Sequence, residues 1–227
     1  MGSVLIENDM IMKKICLFIM LSLCFATVYA GFDLRTAISY IGKSNLPFDF
    51  TKEGDLYSSY RIYNPNNVIP DKIYENFQLT EYFNARDNID TGLDLCFTCK
   101  LGSDLYLCLI RVGGIIEPAT YVLTSVNSSY KVVQSLEVGV TLAGSYLKQF
   151  RITDNRQVYV YRLVPTSNAS VSFRTFKSVE AYVTETVYTI DMAGQFILTT
   201  PEKRVSSTRT FSRDELEKMT QDLWELH

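Results

Sequence analysis

Histidine is almost missing from this chain: among 227 residues the only one is His227, at the last position of the sequence. A Ser-His-Asp or Cys-His mechanism needs an imidazole held beside its nucleophile. The common zinc sites draw on histidine or on four thiolates, so both classes are excluded. Clustered positive charge is lacking too, with 22 Lys and Arg against 25 Asp and Glu and a net charge of -3. The basic residues are scattered singly between acidic and polar neighbours, which excludes nucleic acid as a partner, because binding to phosphate backbones rests on Lys and Arg clusters. No Pro- or Gly-rich linker divides the chain, so one domain is expected over residues 31–227. The sequence carries no metal-ligand set and no cofactor motif, and none is assigned.

Long apolar runs are also absent. The longest, Ile15 to Ala26, falls short of the roughly 20 residues that a membrane-spanning helix needs. It follows Lys13 and Lys14 and leads into Val28-Tyr29-Ala30, the basic, apolar and small-residue order of a secretory signal peptide. Cleavage is expected after Ala30, leaving Gly31 first and no transmembrane helix in the mature chain, which would be exported to the periplasm or the exterior. A rival processing route would lipidate Cys24, but Leu23 stands where that route needs a small residue. Residues 1–11 lack the character of a signal and are set aside with it.

Three cysteines then stay: Cys96, Cys99 and Cys108. A redox C-x-x-C owes its low thiol pKa to a helix N-terminus, whereas Cys96 and Cys99 lie in LDLCFTCK, an alternating strand pattern. With Gly102-Ser103 as a turn and LYLCLI as the return strand, the segment predicts a β-hairpin. Residues three apart on a strand point to opposite faces, so Cys96 and Cys99 are not expected to bridge. A three-residue loop is expected to set Cys96 across from Cys108, which makes that pair the candidate disulfide in an oxidising compartment. Burial as small apolar side chains is the competing reading.

The spacing of Leu34, Ala37, Ile38 and Ile41 before Gly42 predicts a short helix. Residues 44–90 read as turns and brief strands, with a helical turn over 71–77. From Gly92 onward, apolar alternation recurs in TYVLTSV, YKVVQSLEV, LKQFRIT, QVYVYRLV, VEAYVTETVYTI and QFILT. Between these runs, Asn127-Ser128-Ser129, Gly139 with Gly144, Asp154-Asn155-Arg156 and Met192-Ala193-Gly194 favour chain reversal. The expected fold is therefore mainly β, an antiparallel meander of eight or nine strands built as a sandwich, a barrel or an open sheet. An amphipathic helix over residues 212–226 closes it. There, Ser212 with Glu215 forms a capping box and Phe211 with Leu216 a hydrophobic staple, and the apolar stripe is expected to pack on the sheet.

Taken together, Leu46-Pro47-Phe48, Val68-Ile69-Pro70, TYVLTSVNSSYKVVQSLEV, FRITDNRQVYVYRL and VYTIDMAGQFIL resemble a loose group of uncharacterised secreted β-rich proteins of Bacteroidota. The likeness covers most of residues 44–200 and implies fold and location only. FSRDELEKM is similar to the approach to a YARHG domain, whose Tyr-Ala-Arg-His-Gly signature is absent.

Three functions fit these observations. The first is a non-catalytic binding module for a glycan, peptide or envelope protein, using aromatic side chains on a sheet face; Tyr159, Tyr161, Tyr182 and Tyr188, set among polar neighbours, are its candidate surface. The competing explanation is that Tyr is simply favoured in strands. The second is a carboxylate-dependent hydrolase acting on carbohydrate, with Asp94, Asp104, Glu137 and Glu185 as candidate acids. The third is a structural envelope component that docks by a sheet edge. Asn127-Ser128-Ser129 and Asn168-Ala169-Ser170 match the N-glycosylation sequon but follow a signal of bacterial character.

Overall fold

The computed structural model describes residues 34–41, 44–50, 60–63, 77–79, 93–113, 119–142, 145–166, 177–218 and 223–226. The expected signal segment and, apart from Phe77, the expected helical turn over 71–77 lie outside them. The fold is mainly β and antiparallel. The chain runs α1 (Leu34–Ile41), β1 (Phe48–Asp49), β2 (Tyr60–Tyr63), β3 (Leu93–Lys100), β4 (Leu105–Val112), β5 (Ala119–Asn127), β6 (Val132–Leu142), β7 (Ser145–Ile152), β8 (Gln157–Pro165), β9 (Ser178–Ile190), β10 (Phe196–Arg204), β11 (Arg209–Ser212), α2 (Arg213–Lys218) and a 3-10 turn at Leu223–Glu225. Nine of these strands follow Gly92, in line with the alternation of the sequence.

Strand order is β10-β9-β8-β7-β6-β5-β4-β3-β2, with β1 on β7 and β11 on β9. The sheet is not closed into a barrel. It turns a corner at β6–β7, where pairing is confined to Val140, Thr141 and Leu142 against Lys148, Tyr146 and Ser145. Beyond that corner β1 takes over the edge of β7, setting Phe48 opposite Ile152 and Asp49 opposite Arg151. The two halves then face one another. Leu105, Leu107, Leu109 and Leu123 from one half share a core with Phe150, Ile152, Val158, Val160 and Phe196 from the other.

Residues 48–50 wedge this joint. The Phe48 ring lies 4.3 Å from Phe97 and 5.6 Å from Phe150, and Phe50 lies 4.7 Å from Tyr121 and 5.1 Å from Phe150. Each such ring pair contributes about 0.5–1.5 kcal/mol beyond its buried area. Aromatic residues are therefore spent on holding the halves together.

The first half is covered on both faces. α1 buries Leu34, Ala37 and Ile38, and Phe77 and Leu79 are buried too, with Phe77 O accepting the Ser135 hydroxyl of β6 at 2.7 Å. As a result β3 and β5 are buried almost end to end, the pattern of a strand with no wet face. The second half is covered outside by the C-terminal segment: Phe211, Leu216, Leu223 and Trp224 cluster with Tyr161, Leu163, Val179, Ala181 and Val183. Gln149, fully buried, accepts the Leu223 N–H at 2.9 Å and ties the segment to β7.

The C-terminal expectation holds at its start. Ser212 N–H donates to Glu215 Oε2 at 2.7 Å, while Glu215 N–H donates to Ser212 Oγ at 3.2 Å. A single helix over 212–226 does not form, however, since the chain at Leu223–Glu225 is a 3-10 turn. Gly139 is a second correction, because β6 continues through it rather than reversing. A Cβ there would meet Tyr121 Cβ at 3.2 Å, so the glycine makes room for that ring.

Candidate functional site

Three hairpins turn by one design. In β5–β6, Asn127 N–H donates to Lys131 O and Tyr130 N–H to Asn127 O; in β7–β8, Thr153 N–H donates to Gln157 O and Arg156 N–H to Thr153 O; in β9–β10, Asp191 N–H donates to Gln195 O and Gly194 N–H to Asp191 O. Each is a three-residue loop whose last residue is left-handed, with φ of 59° at Tyr130, 60° at Arg156 and 87° at Gly194. The opening side chain locks each loop. Asn127 Oδ1 accepts the Ser129 and Lys131 N–H groups, Asp191 Oδ1 those of Ala193 and Gln195, and Thr153 Oγ1 that of Gln157. Sequence reasoning finds these turns because Asn, Asp and Thr bind their own backbone in this way.

Alternate connections of an antiparallel meander fall at the same end, so these turns gather with the β3–β4 turn. Arg156 O accepts the Ile190 N–H at 3.0 Å, joining the β7–β8 and β9–β10 turns. Ser125 Oγ donates to Gly194 O at 2.6 Å, joining β9–β10 to β5. The turns form one continuous surface.

On its α1 side lies an aromatic and cationic column. Tyr106 and Tyr130 stack with centroids 5.7 Å apart and planes 20° from parallel. Lys100 Nζ stands 6.0 Å from the Tyr106 ring and the Arg35 guanidinium 5.9 Å from the Tyr130 ring. Hairpin register creates the first contact, since Lys100 is the cross-strand partner of Tyr106; α1 brings Arg35. Both rings are half-buried, and Arg35, Lys100 and Lys131 are exposed. Exposed cation–π contacts contribute about 0.5–1 kcal/mol each, and with the ring stack of about 0.5–1.5 kcal/mol they offset a left-handed backbone cost of about 1–2 kcal/mol at Tyr130.

The four tyrosines chosen from sequence do not make one surface. Tyr159 and Tyr161 pair with Val187 and Glu185, so they share a face with the odd-numbered residues of β9, and Tyr182 and Tyr188 project from the other. Tyr161 is wholly buried under Trp224, with ring centroids 5.6 Å apart. The Arg151 guanidinium lies 5.0 Å from Tyr159, 5.8 Å from Tyr161 and 5.9 Å from Trp224. Burial pushes the Tyr161 hydroxyl pKa upward, Arg151 opposing. Tyr188 packs against the core between the halves, and Tyr182 lies under Arg204 at 4.5 Å. These rings serve packing and docking of the C-terminal segment.

The candidate carboxylates are dispersed over β3, the β3–β4 turn, β6 and β9. Asp94 pairs with Arg111 at 3.0 Å, Glu137 with Lys148 at 2.9 Å and Glu185 with Lys203 at 3.2 Å; Asp104 accepts the Ser103 hydroxyl.

The expected disulfide is corrected as well. The hairpin loop does hold three residues, 102–104, closed by Leu101 N–H on Leu105 O at 2.8 Å. That closure sets Thr98, not Cys96, opposite Cys108, and a register shift falls at Cys96 between Leu95 and Phe97. All three thiols are free and buried. Because of the bulge, Cys96 and Cys99 enter the same core cluster rather than opposite faces. Burial raises the Cys108 thiol pKa to about 12 and raises that of Cys99, where the Leu46 backbone and Arg156 oppose it.

The chain matches no family model, no curated protein and no solved structure. Among the described residues no helix is long and apolar enough to cross a membrane, and no group of three or more His, Cys, Asp or Glu side chains could hold a metal ion.

Sequence reasoning missed Tyr106, Tyr130, Lys100 and Arg35. One signal was present: Tyr130 follows Asn127-Ser128-Ser129, in the position of such a turn where glycine is usual.

Proposed function

We propose that this protein is an exported, non-catalytic binding module whose ligand is held at the turn end, around Tyr106 and Tyr130. The observation that carries the reading is the stacked pair of tyrosines between Lys100 and Arg35. Rings with one polar edge, carried on turns that a rigid sheet positions, are what recognition surfaces use. The left-handed backbone at Tyr130 supports it further: a bulky residue is kept where glycine would be less strained. For export, the support is the basic, apolar and small-residue order of residues 13–30. It directs the mature chain to the periplasm or the exterior.

Binding to a panel of glycans, peptides and envelope extracts tests the site, comparing the protein with Tyr106→Ala, Tyr130→Ala and Tyr182→Ala. The expected result is loss of binding in the first two variants alone. Undiminished binding in both, or loss only in Tyr182→Ala, removes the site. N-terminal sequencing of the mature protein tests export, with Gly31 expected first.

A further inference from the structure

We infer that two copies of this chain pair edge to edge through β10, about a twofold axis at Lys203. β10 ends the sheet, with β9 on one side and no strand on the other among the described residues. At its start the outer edge is closed, since Phe196 N–H donates to Gln134 Oε1 at 2.7 Å. At its end the edge is open, and every side chain from Pro201 to Arg204 is exposed. Three of the four exposed large hydrophobic residues described, Met192, Ile197 and Leu198, lie on the same hairpin.

Pairing with β9 sets the backbone direction at this open end. Lys203 stands opposite Glu185 and Arg204 opposite Thr184, and Val205 N–H donates to Val183 O at 2.9 Å. Val205 and Lys203 therefore turn their backbone groups toward β9, and alternation turns those of Arg204 outward. Glu202 shares the face of Arg204, since its carboxylate accepts the Thr184 hydroxyl at 2.6 Å and meets Arg162 at 3.4 Å. Its N–H and C=O point outward as well. Such a row on an exposed edge is a template for another strand.

Charge selects that strand and its register. An antiparallel copy centred on Lys203 sets Glu202 opposite Arg204 of the second copy, and Arg204 opposite its Glu202, the self-complementary form of a twofold interface. Residues so placed exchange both of their N–H···O bonds, and opposite charges directly across a ladder are favourable. Centring the pair on Glu202 or on Arg204 instead sets like charges face to face. Lys203 meets its own copy on the axis, on the other face of the strand, where Glu185 holds each ammonium at 3.2 Å. Pro201, which has no N–H, and the register shifts between Leu198 and Lys203 keep the ladder short. A twofold contact closes at two copies. Because β10 runs away from the β9–β10 turn, pairing at its far end leaves the turn end uncovered.

Sedimentation velocity over a concentration series is the test, comparing the purified protein with Glu202→Arg, with Arg204→Glu and with an equal mixture of the two, folding of each being checked by its thermal transition. The unaltered protein is expected to pass from monomer to dimer. Each variant alone sets like charges across the axis and should weaken the dimer about tenfold or more. The mixture restores opposite charges in both pairs and should dimerise again. Amide hydrogen exchange of the unaltered protein needs no variant: protection at Glu202 and Arg204 should rise with concentration. A monomer at every concentration, a dimer indifferent to the single variants, a folded mixture that stays monomeric, assembly beyond two copies, or exchange at both amides that ignores concentration would each overturn the pairing.

Discussion

Tyr130 and Gly194 hold the same place in two hairpins, each the left-handed last residue of its loop, with φ of 59° and 87°. Identical geometry predicts opposite responses to mutation. At Arg156, the third such position, replacement by glycine removes a left-handed cost of about 1–2 kcal/mol and adds about 0.5–1 kcal/mol of chain entropy. Arg156→Gly is therefore expected to stabilise the protein slightly. Gly194→Ala moves the other way, because its Cβ would lie 2.7 Å from Leu105 Cδ1 and 3.3 Å from Ser125 Oγ. A loss of about 2 kcal/mol or more is expected from strain and crowding together. Urea unfolding of the two variants checks the sign of each.

Trp224 is the only tryptophan of the chain, so its fluorescence reports on docking of the C-terminal segment. It is buried against Tyr161 and stands within reach of the Arg151 guanidinium. Trp224→Ala is expected to cost about 3–5 kcal/mol. In the unaltered protein the fluorescence and far-ultraviolet dichroism transitions should coincide, as for one cooperative unit; an earlier fluorescence transition would show that the segment undocks by itself.

Glu215 gives a pH dependence of known sign. The Ser212 backbone N–H, then its hydroxyl, hold the Glu215 carboxyl pKa below its ordinary value of 4.5. A depressed folded-state pKa means stability that is complete above the unfolded value and is lost as pH falls through the folded one. On an exposed helix start its size is at most about 1 kcal/mol. Carboxyl NMR titration should show the low pKa, and Ser212→Ala should raise it only in part, because the stronger backbone donor stays.

The thiols should be slow to react while the protein is folded. Cys108 is fully buried, its pKa raised to about 12, so little thiolate forms at neutral pH. Peptide mapping of the unreduced, denatured protein with iodoacetamide should find Cys96, Cys99 and Cys108 each alkylated. A crosslinked Cys96–Cys108 peptide would refute the register of β3 on β4.

Much of the fold was legible because alternation and turn chemistry are local. β7, β8 and β9 could be read from LKQFRIT, QVYVYRLV and VEAYVTETVYTI, and their turns from Asp154-Asn155 and Met192-Ala193-Gly194. The bend at β6–β7 left no local mark: it depends on β1 reaching β7 from a distant part of the chain. Covering also escapes local patterns. Tyr161, set between Val160 and Arg162, reads like an exposed ring until the C-terminal segment lies on it. Tyr106 and Lys100 meet only when the hairpin register is known, and Cys96 lost its expected partner to the loop closure and to one bulge. The site was thus the least legible part, since its column joins α1 and two turns that are remote in sequence.

The wedge of Phe48 and Phe50 has a consequence for how the molecule is assembled in time. Hairpins β7–β8 and β9–β10 unite neighbours, whereas Phe48 must find Ile152 across nearly half of the chain. Distant pairings of this kind are slow to close. The corner should accordingly set late, after the hairpins have formed, and a truncated chain ending before β7 would carry an uncovered row of phenylalanines and tend to aggregate.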